Sequence, residues 1–234
     1  MKISDLKIGD FLLFGGLDVP ILWFKASDDH DFIAVSTYNS VRFDLPESSA
    51  PNGNNFYPVS NIAAALNLRP GENLRPAHAE DIVPPYNQFA SVLCKMDEQE
   101  LKNIVDRSIE YDVPERLVPE LGEKITYSAK VFLPSVQELG YGDNGNAEVQ
   151  SIINRYLSCS RLFARDPFGK QYVRVIDTVE QNITYAHPKR LRTVAPMIRL
   201  NPDMEIEFFE SENAYVMKPQ FNEDLHKLLF GEGA

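Results

Sequence analysis

An α+β protein built around an antiparallel sheet is the fold class this sequence predicts, and three observations carry it. Three short apolar runs separated by turn residues fall within residues 1–36. Five more fall in the last third of the chain, and only short helical stretches lie between the two sets. With 234 residues, 44% of them hydrophobic and 14 Phe, 10 Tyr and 1 Trp, the chain is long and apolar enough to bury a core without metal or disulfides. The 34 acidic residues outnumber the 23 Lys and Arg, for a net charge of −11. A phosphate backbone or an anionic membrane surface is repelled on average, so neither nucleic acid nor membrane is an expected partner.

Ile3 to Gly9 reads as a turn, and Asp10 leads into FLLFG, a strand ended by Gly15 and Gly16. Pro20 opens ILWF (21–24), SDDHD (27–31) turns, and FIAVS (32–36) returns, giving a three-stranded antiparallel opening. Tyr38 to Tyr57, rich in Asn, Ser, Pro and Gly, reads as a long surface loop. Ser60 then caps a short helix, NIAAALN. Residues 68–85 hold four of the sixteen prolines and read as a traversing loop. Phe89, Val92, Leu93, Leu101, Ile104, Val105 and Ile109 recur at three and four residues, which predicts two helices over 86–110, the second capped by Asp97.

A Pro-rich crossing at 113–119 precedes ITYSAKVFL (125–133), an alternating strand. PSVQELGYG starts a one-turn helix with Pro134 in its first turn. GDNGNAEVQ (142–150) is a loop leading into the helix VQSIINRYL. RLFARD, YVRVID, VAPMIRL, MEIEFFE and AYVMK read as strands, and an amphipathic helix from Phe221 to Phe230 closes the chain. No repeat, low-complexity tract or compositional linker divides the sequence, so residues 1–234 are expected to form a single domain, with a helical insertion at 68–120 as its candidate interruption.

The N-terminal MKISDLKIGDFLLFGG is broken by Asp5, Lys7 and Asp10 and is not a signal peptide, and no apolar run is long enough to span a membrane. Cys94 and Cys159 lie far apart with no close His or second Cys, which predicts two buried free thiols in an intracellular chain. His30, His78, His187 and His226 fall in separate segments without metal spacing. His30 among Asp28, Asp29 and Asp31 is a hairpin tip, and Asp143, Asn144, Asn146 and Glu148 lack the ligand alternation of an EF-hand, so no metal is expected. Neither G-x-S-x-G nor a phosphate-cradling GxxxxGK[ST] is present. HPKRLR (187–192) is the one dense basic patch and reads as a solvated strand edge guarded by its charges.

The order IGDFLLFG, PILWFKASDD, FIAVST, SNIAAALN, KVFLPSVQELGYG, RLFARDP, VRVID and TVAPMIRLNPD resembles a family of bacterial and phage domains of unknown function. That family's pattern is a "GDxIxFG" start, an "ILWxV" strand, an "LLS" strand, an "S-x-I-R-x-W-L-N" helix, a "VFLLSxxE" segment, a "WWLRSP" centre and a "VRPALxLNPD" finish. Trp23, Leu66, Asn67, Phe132, Leu133, Ser135, Glu138, Arg165, Pro196, Leu200, Asn201 and Pro202 match it, while the two tryptophans and the serine of the centre are replaced by Leu162, Phe163 and Asp166. The resemblance implies a C-type-lectin-like scaffold, related to formylglycine-generating enzymes, with a twisted antiparallel core and long functional loops. The copper-binding cysteines of the latter and the calcium loop of true lectins have no counterpart here, so no cofactor is expected.

A scaffold does not fix function. The expectation is a non-enzymatic recognition or structural module of phage or prophage origin, cytoplasmic or part of a virion, that binds a protein or glycan through its loops. Arg165, Asp166, Glu138, Tyr38 and Asn39 are the candidate ligand-binding residues. Arg165 stands amid strand residues and, if buried, needs a carboxylate or carbonyl partner, for which Glu138 is the candidate. The alternative is a hydrolase whose site is assembled in space from Arg165, Glu138, Asp166 and His187; a third reading makes the chain a subunit of a larger assembly.

Overall fold

The computed structural model describes residues 1–16, 20–35, 38–44, 53–68, 92–112, 124–158 and 160–218. The chain runs through β1 (Phe11–Phe14), β2 (Ile21–Lys25), β3 (Asp31–Ala34) and β4 (Tyr38–Arg42). Helices α1 (Asn61–Leu66) and α2 (Glu98–Asn103) come next, then β5 (Ile104–Val105), β6 (Arg107–Asp112), β7 (Lys124–Ala129) and β8 (Val131–Phe132). Helix α3 (Ala147–Tyr156) is followed by β9 (Arg161–Phe168), β10 (Tyr172–Asp177), β11 (Asn182–Ala186) and β12 (Leu191–Val194). β13 (Met197–Leu200), β14 (Ile206–Phe209) and β15 (Ala214–Met217) complete the described chain.

The result is a β-dominated α+β structure. An eight-stranded sheet has the order β14-β15-β1-β2-β3-β13-β5, with β8 also paired to β13. A five-stranded sheet has the order β11-β10-β9-β12-β4, and β6 and β7 form a separate hairpin. Among the described residues every strand pair is antiparallel except β1 with β15 and β9 with β12. The core is continuous and aromatic: Trp23, Tyr57, Phe24, Phe32, Phe43, Phe132 and Phe163 are its largest fully buried side chains. Trp23 directs its indole Nε1–H to the Phe14 carbonyl (2.9 Å), which satisfies the one polar group that its burial would strand. Lys25, also buried, donates Nζ to the Leu6 carbonyl (2.7 Å), and burial pushes its pKa down.

Local chemistry sets the helix ends. Ser60 Oγ accepts from Ala63 N at the start of α1. Asp97 and Glu100 form a reciprocal capping box on α2, and Glu100 Oε1 also accepts from Gly15 N (2.9 Å), tying the helix to the end of β1. Asn146 Oδ1 accepts from Glu148 N and Val149 N at the start of α3. The approach to α3 needs glycine: a Cβ on Gly140, whose φ is +82°, would lie 2.4 Å from Gln150 N, and one on Gly145 would lie 2.3 Å from the Gly140 carbonyl oxygen.

Several elements differ from the sequence reading. Tyr38–Tyr57 is not wholly a surface loop: it contains β4, a short 3-10 turn starts at Tyr57, and Val41, Phe43, Phe56 and Tyr57 are buried, because its aromatics fill the core while its amides turn the chain. Of 86–110, the described part (92–110) holds a 3-10 turn at Leu93–Lys95 and one six-residue α-helix, followed by strands β5 and β6. Leu101 and Ile104 continue a helical spacing across the helix–strand boundary, which makes one period out of two elements. PSVQELGYG is a chain of turns, closed by Leu139 N on the Ser135 carbonyl. HPKRLR is not a sheet edge: 187–190 turn, and β12 that follows lies between β9 and β4. Cys94 is a free thiol but only half-buried. Cys159, most of the 68–85 loop, the 113–119 crossing and the 221–230 helix lie outside the described residues.

Asn67, just past α1, holds this helix to the β7–β8 corner. Its Nδ2 donates to Ala63 O (3.0 Å) and Val131 O (2.7 Å), and its Oδ1 accepts from Lys130 N (3.2 Å) and Val131 N (2.9 Å). Asn67→Ala removes all four bonds at once and is expected to cost about 2–3 kcal/mol, read as a lower urea midpoint with an unchanged m-value.

Candidate functional site

Arg165 sits on β9 at 8% exposure, and the demand of a buried guanidinium for partners organises everything near it. Glu138, in the turn after β8, meets it as a fork: Arg165 Nη1 donates to Oε2 and Nη2 to Oε1. Arg165 Nη1 also reaches the Leu133 carbonyl (3.0 Å), so the carboxylate and the carbonyl expected of its surroundings are both present. Glu138 then accepts from Arg107 Nη2 on β6 and from Ser135 N (2.8 Å). Arg107 Nη1 lies 3.7 Å from Asp31 Oδ2 on β3, and Asp31 is gripped by Arg199 of β13 through Nε (2.8 Å) and Nη2 (3.0 Å). Arg199 ends the series 3.4 Å from the exposed Asp29.

The electrostatics follow from this alternation of sign. Burial by itself would raise the Glu138 pKa, but Arg165, Arg107 and the Ser135 N–H outweigh it and hold the carboxyl at about 2. Arg165 is affected conversely: burial opposes its charge, and Glu138 more than restores it. Asp166, the neighbour on β9, is pushed upward by burial even though Val136 N donates to its Oδ2 (2.6 Å). Two carboxylates with opposite shifts are what an acid–base site requires. Here, however, both Glu138 oxygens are filled by protein donors, which leaves an ionised group with no lone pair directed at a substrate.

The other sequence candidates are placed elsewhere. Tyr38 and Asn39 are on β4, separated from β9 by β12 and at the opposite edge of the five-stranded sheet from β11. His187 follows β11, and its ring stacks on Tyr172 (centroids 4.4 Å apart). None of the ion-cluster contacts among the described residues involves it.

His187 belongs instead to a row the sequence reading missed. Tyr172 meets Tyr185 edge-on (4.9 Å), Tyr185 lies against Phe168 (4.9 Å), and the Arg174 guanidinium sits over the Phe168 ring (4.1 Å). Cross-strand register explains the row: Tyr172 is opposite Phe168, Arg174 is opposite Tyr185, and the intervening Val173 and Val175 point into the core. Tyr185 is 52% exposed and Ile183 beside it 37%. The period-two signal YVRV was legible as a strand, but the row needs the partner residues from β9 and β11 to appear. Two cavities of about 380 and 220 Å³ lie elsewhere, the larger near Phe14, Phe209 and Met217 and the smaller near Asn67 and Tyr127.

What these features define is a β-rich α+β protein with an internal ion cluster and an outward aromatic row. No family model matches the chain, and neither a curated protein nor a solved structure matches it. No helix among the described residues is long and apolar enough to cross a membrane, and no group of His, Cys, Asp and Glu among them is placed to hold a metal ion.

The depressed Glu138 pKa is a stability statement. The carboxyl is ionised at lower pH in the folded than in the unfolded chain, so its contribution is complete above the ordinary value of 4.5 and is lost as pH falls through about 2. That contribution is about 3 kcal/mol. Urea midpoints measured from pH 6 to pH 2 are expected to fall over this window. Glu138→Gln is expected to lower the midpoint at neutral pH by the equivalent of about 3–5 kcal/mol, since it strands Arg165, and to flatten the acid limb.

Proposed function

We propose that the protein is a non-enzymatic recognition module whose contact surface is the outward face of β9, β10 and β11, with a protein as the partner. The observation that carries this reading is the row of half-buried Phe168, Tyr172 and His187 around exposed Tyr185, with half-buried Arg174 across it, at a sheet edge that no other described strand pairs. Aromatic rings and arginine supply most of the binding free energy at protein interfaces, and an unpaired strand offers main-chain hydrogen bonds beside them. The contact surface is thus made of strands rather than the loops expected from the sequence.

The scaffold is taken as C-type-lectin-like and related to the bacterial and phage domain family, which makes a phage or prophage component, acting in the cytoplasm or in a virion, its natural setting. The hydrolase alternative has the opposite shifts of Glu138 and Asp166 in its favour. Against it stand the saturated Glu138 oxygens and the placement of His187 in the aromatic row.

A peptide and glycan array probed with the wild-type chain and with Tyr185→Ala/Arg174→Ala tests the proposal. Peptide binding that weakens by at least about tenfold in the double variant is expected, with thermal midpoints within a few degrees because Tyr185 is largely exposed. Binding confined to glycans would reassign the partner, and binding indifferent to both substitutions would place the contact surface elsewhere.

A further inference from the structure

The five-stranded and eight-stranded sheets each end in an edge strand bearing exposed aromatics, and the two ends carry opposite charge. Residues 161–192, which form the β9–β11 end and lead into β12, hold seven Lys and Arg against three Asp and Glu, and six against three when the buried Arg165, held by Glu138, is set aside. Residues 201–217, which form β14 and β15, hold five carboxylates and no Lys or Arg; Lys2 and Lys218 pair with Asp203 and Glu205, and Glu207, Glu210 and Glu212 carry the acidic charge of the edge. We infer that the partner recognised at the β11 edge is a second copy of this chain, which presents its acidic β14 edge to it; the inference rests on the proposed recognition face.

Both surfaces have the features a strand-to-strand contact needs. β11 reads Asn-Ile-Thr-Tyr-Ala, with no charge, proline or bulge to guard it, and no described strand lies on its outer side. Ile183 and Tyr185 are exposed along it, Arg174 lies across from Tyr185, and Arg190 is exposed in the turn that follows. On β14, the N-terminus takes the outer side only at its beginning, through the Lys2–Glu205 bridge and Ile206 N on the Met1 carbonyl (2.9 Å). Beyond that point Glu207, Phe208 and Phe209 have no strand partner on that side among the described residues, and Glu210 and Glu212 follow directly. Phe208 and Phe209 are 50% and 48% exposed.

Charge selects the pairing. Two β14 edges repel one another and two β11 ends repel one another, whereas β14 against β11 sets Glu207, Glu210 and Glu212 against Arg174 and Arg190, with rings on both sides to bury. Because the two surfaces differ, the contact is head-to-tail, and repetition leads to a ring or an open chain of copies.

Sedimentation velocity of the full chain over a range of concentrations tests this. The expected result is a mass that rises with concentration, with association at least about tenfold weaker in 0.5 M than in 0.05 M salt, because screening shortens the reach of the charges. Glu207→Lys/Glu210→Lys sets lysines opposite Arg174 and Arg190 and leaves three carboxylates against two lysines at that end, while Arg174→Glu/Arg190→Glu sets glutamates opposite Glu207 and Glu210 and leaves the other end with five charges of each sign. Each variant alone is expected to stay monomeric with a wild-type circular dichroism spectrum, and an equimolar mixture of the two to regain association. Recovery on mixing also shows that both variants are folded. A wild type that stays monomeric at every concentration, or an association that neither reversal changes, overturns the inference. A monomeric wild type whose array binding still needs Tyr185 and Arg174 overturns only the second-copy partner; a monomer with a blank array removes the recognition face as well.

Discussion

A guanidinium buried in a β-strand imposes a condition on every element around it, because its charge must be met where water cannot reach. Arg165 imposes that condition here. Its fork with Glu138 fixes the turn after β8, Glu138 in turn draws in Arg107 from the β6–β7 hairpin, and Asp31 and Arg199 continue the series into β3 and β13. One alternation of sign therefore crosses all three sheets, which share little main-chain pairing. The hydrophobic core supplies the driving force for collapse, yet apolar contacts alone would tolerate several packings of one sheet on another. A bidentate ion pair does not tolerate sliding, so the cluster sets the relative position of the sheets.

How much of this could be read from the sequence depended on range. β1, β2 and β3 were legible because Phe, Leu, Ile and Trp come in short runs closed by Gly, Pro and Asp, and the helix starts at Ser60 and Asp97 were legible because a cap and the N–H that donates to it lie within three residues. The Arg165–Glu138 pair was legible through chemistry: an arginine in an apolar strand must have an acid if buried, and Glu138, 27 residues upstream, stands among the residues that match the family pattern. Arg107, Asp31 and Arg199 were not, because they come from segments up to 168 residues apart, and each looks like an ordinary surface charge in its own neighbourhood. β6 was mistaken for helix although Ile109 and Tyr111 alternate with exposed residues, since Leu101 and Ile104 upstream continued a helical spacing. The parallel pairings of β1 with β15 and β9 with β12 have no local signature at all.

The division of labour between inside and outside follows. Glu138 and Arg165, both strongly shifted, are engaged with each other and serve architecture. The outward face of β9, β10 and β11 presents aromatic rings, one arginine and an unpaired strand edge, which suit contact rather than bond making. Tyr57 shows the same economy: fully buried, it accepts from Leu133 N (2.9 Å) and packs against Phe43, Phe132 and Tyr127, so a polar atom anchors the strand segment that carries Glu138 into place.

Trp23 adds a property of a different kind. It is the sole tryptophan, lies on β2 at the middle of the larger sheet with no exposed surface, and keeps its indole N–H on a main-chain oxygen. Its fluorescence therefore comes from one dry environment, blue-shifted in the folded chain and red-shifted only when water enters between β1 and β3. As the single tryptophan, it gives the protein its own optical gauge of whether the central sheet is closed.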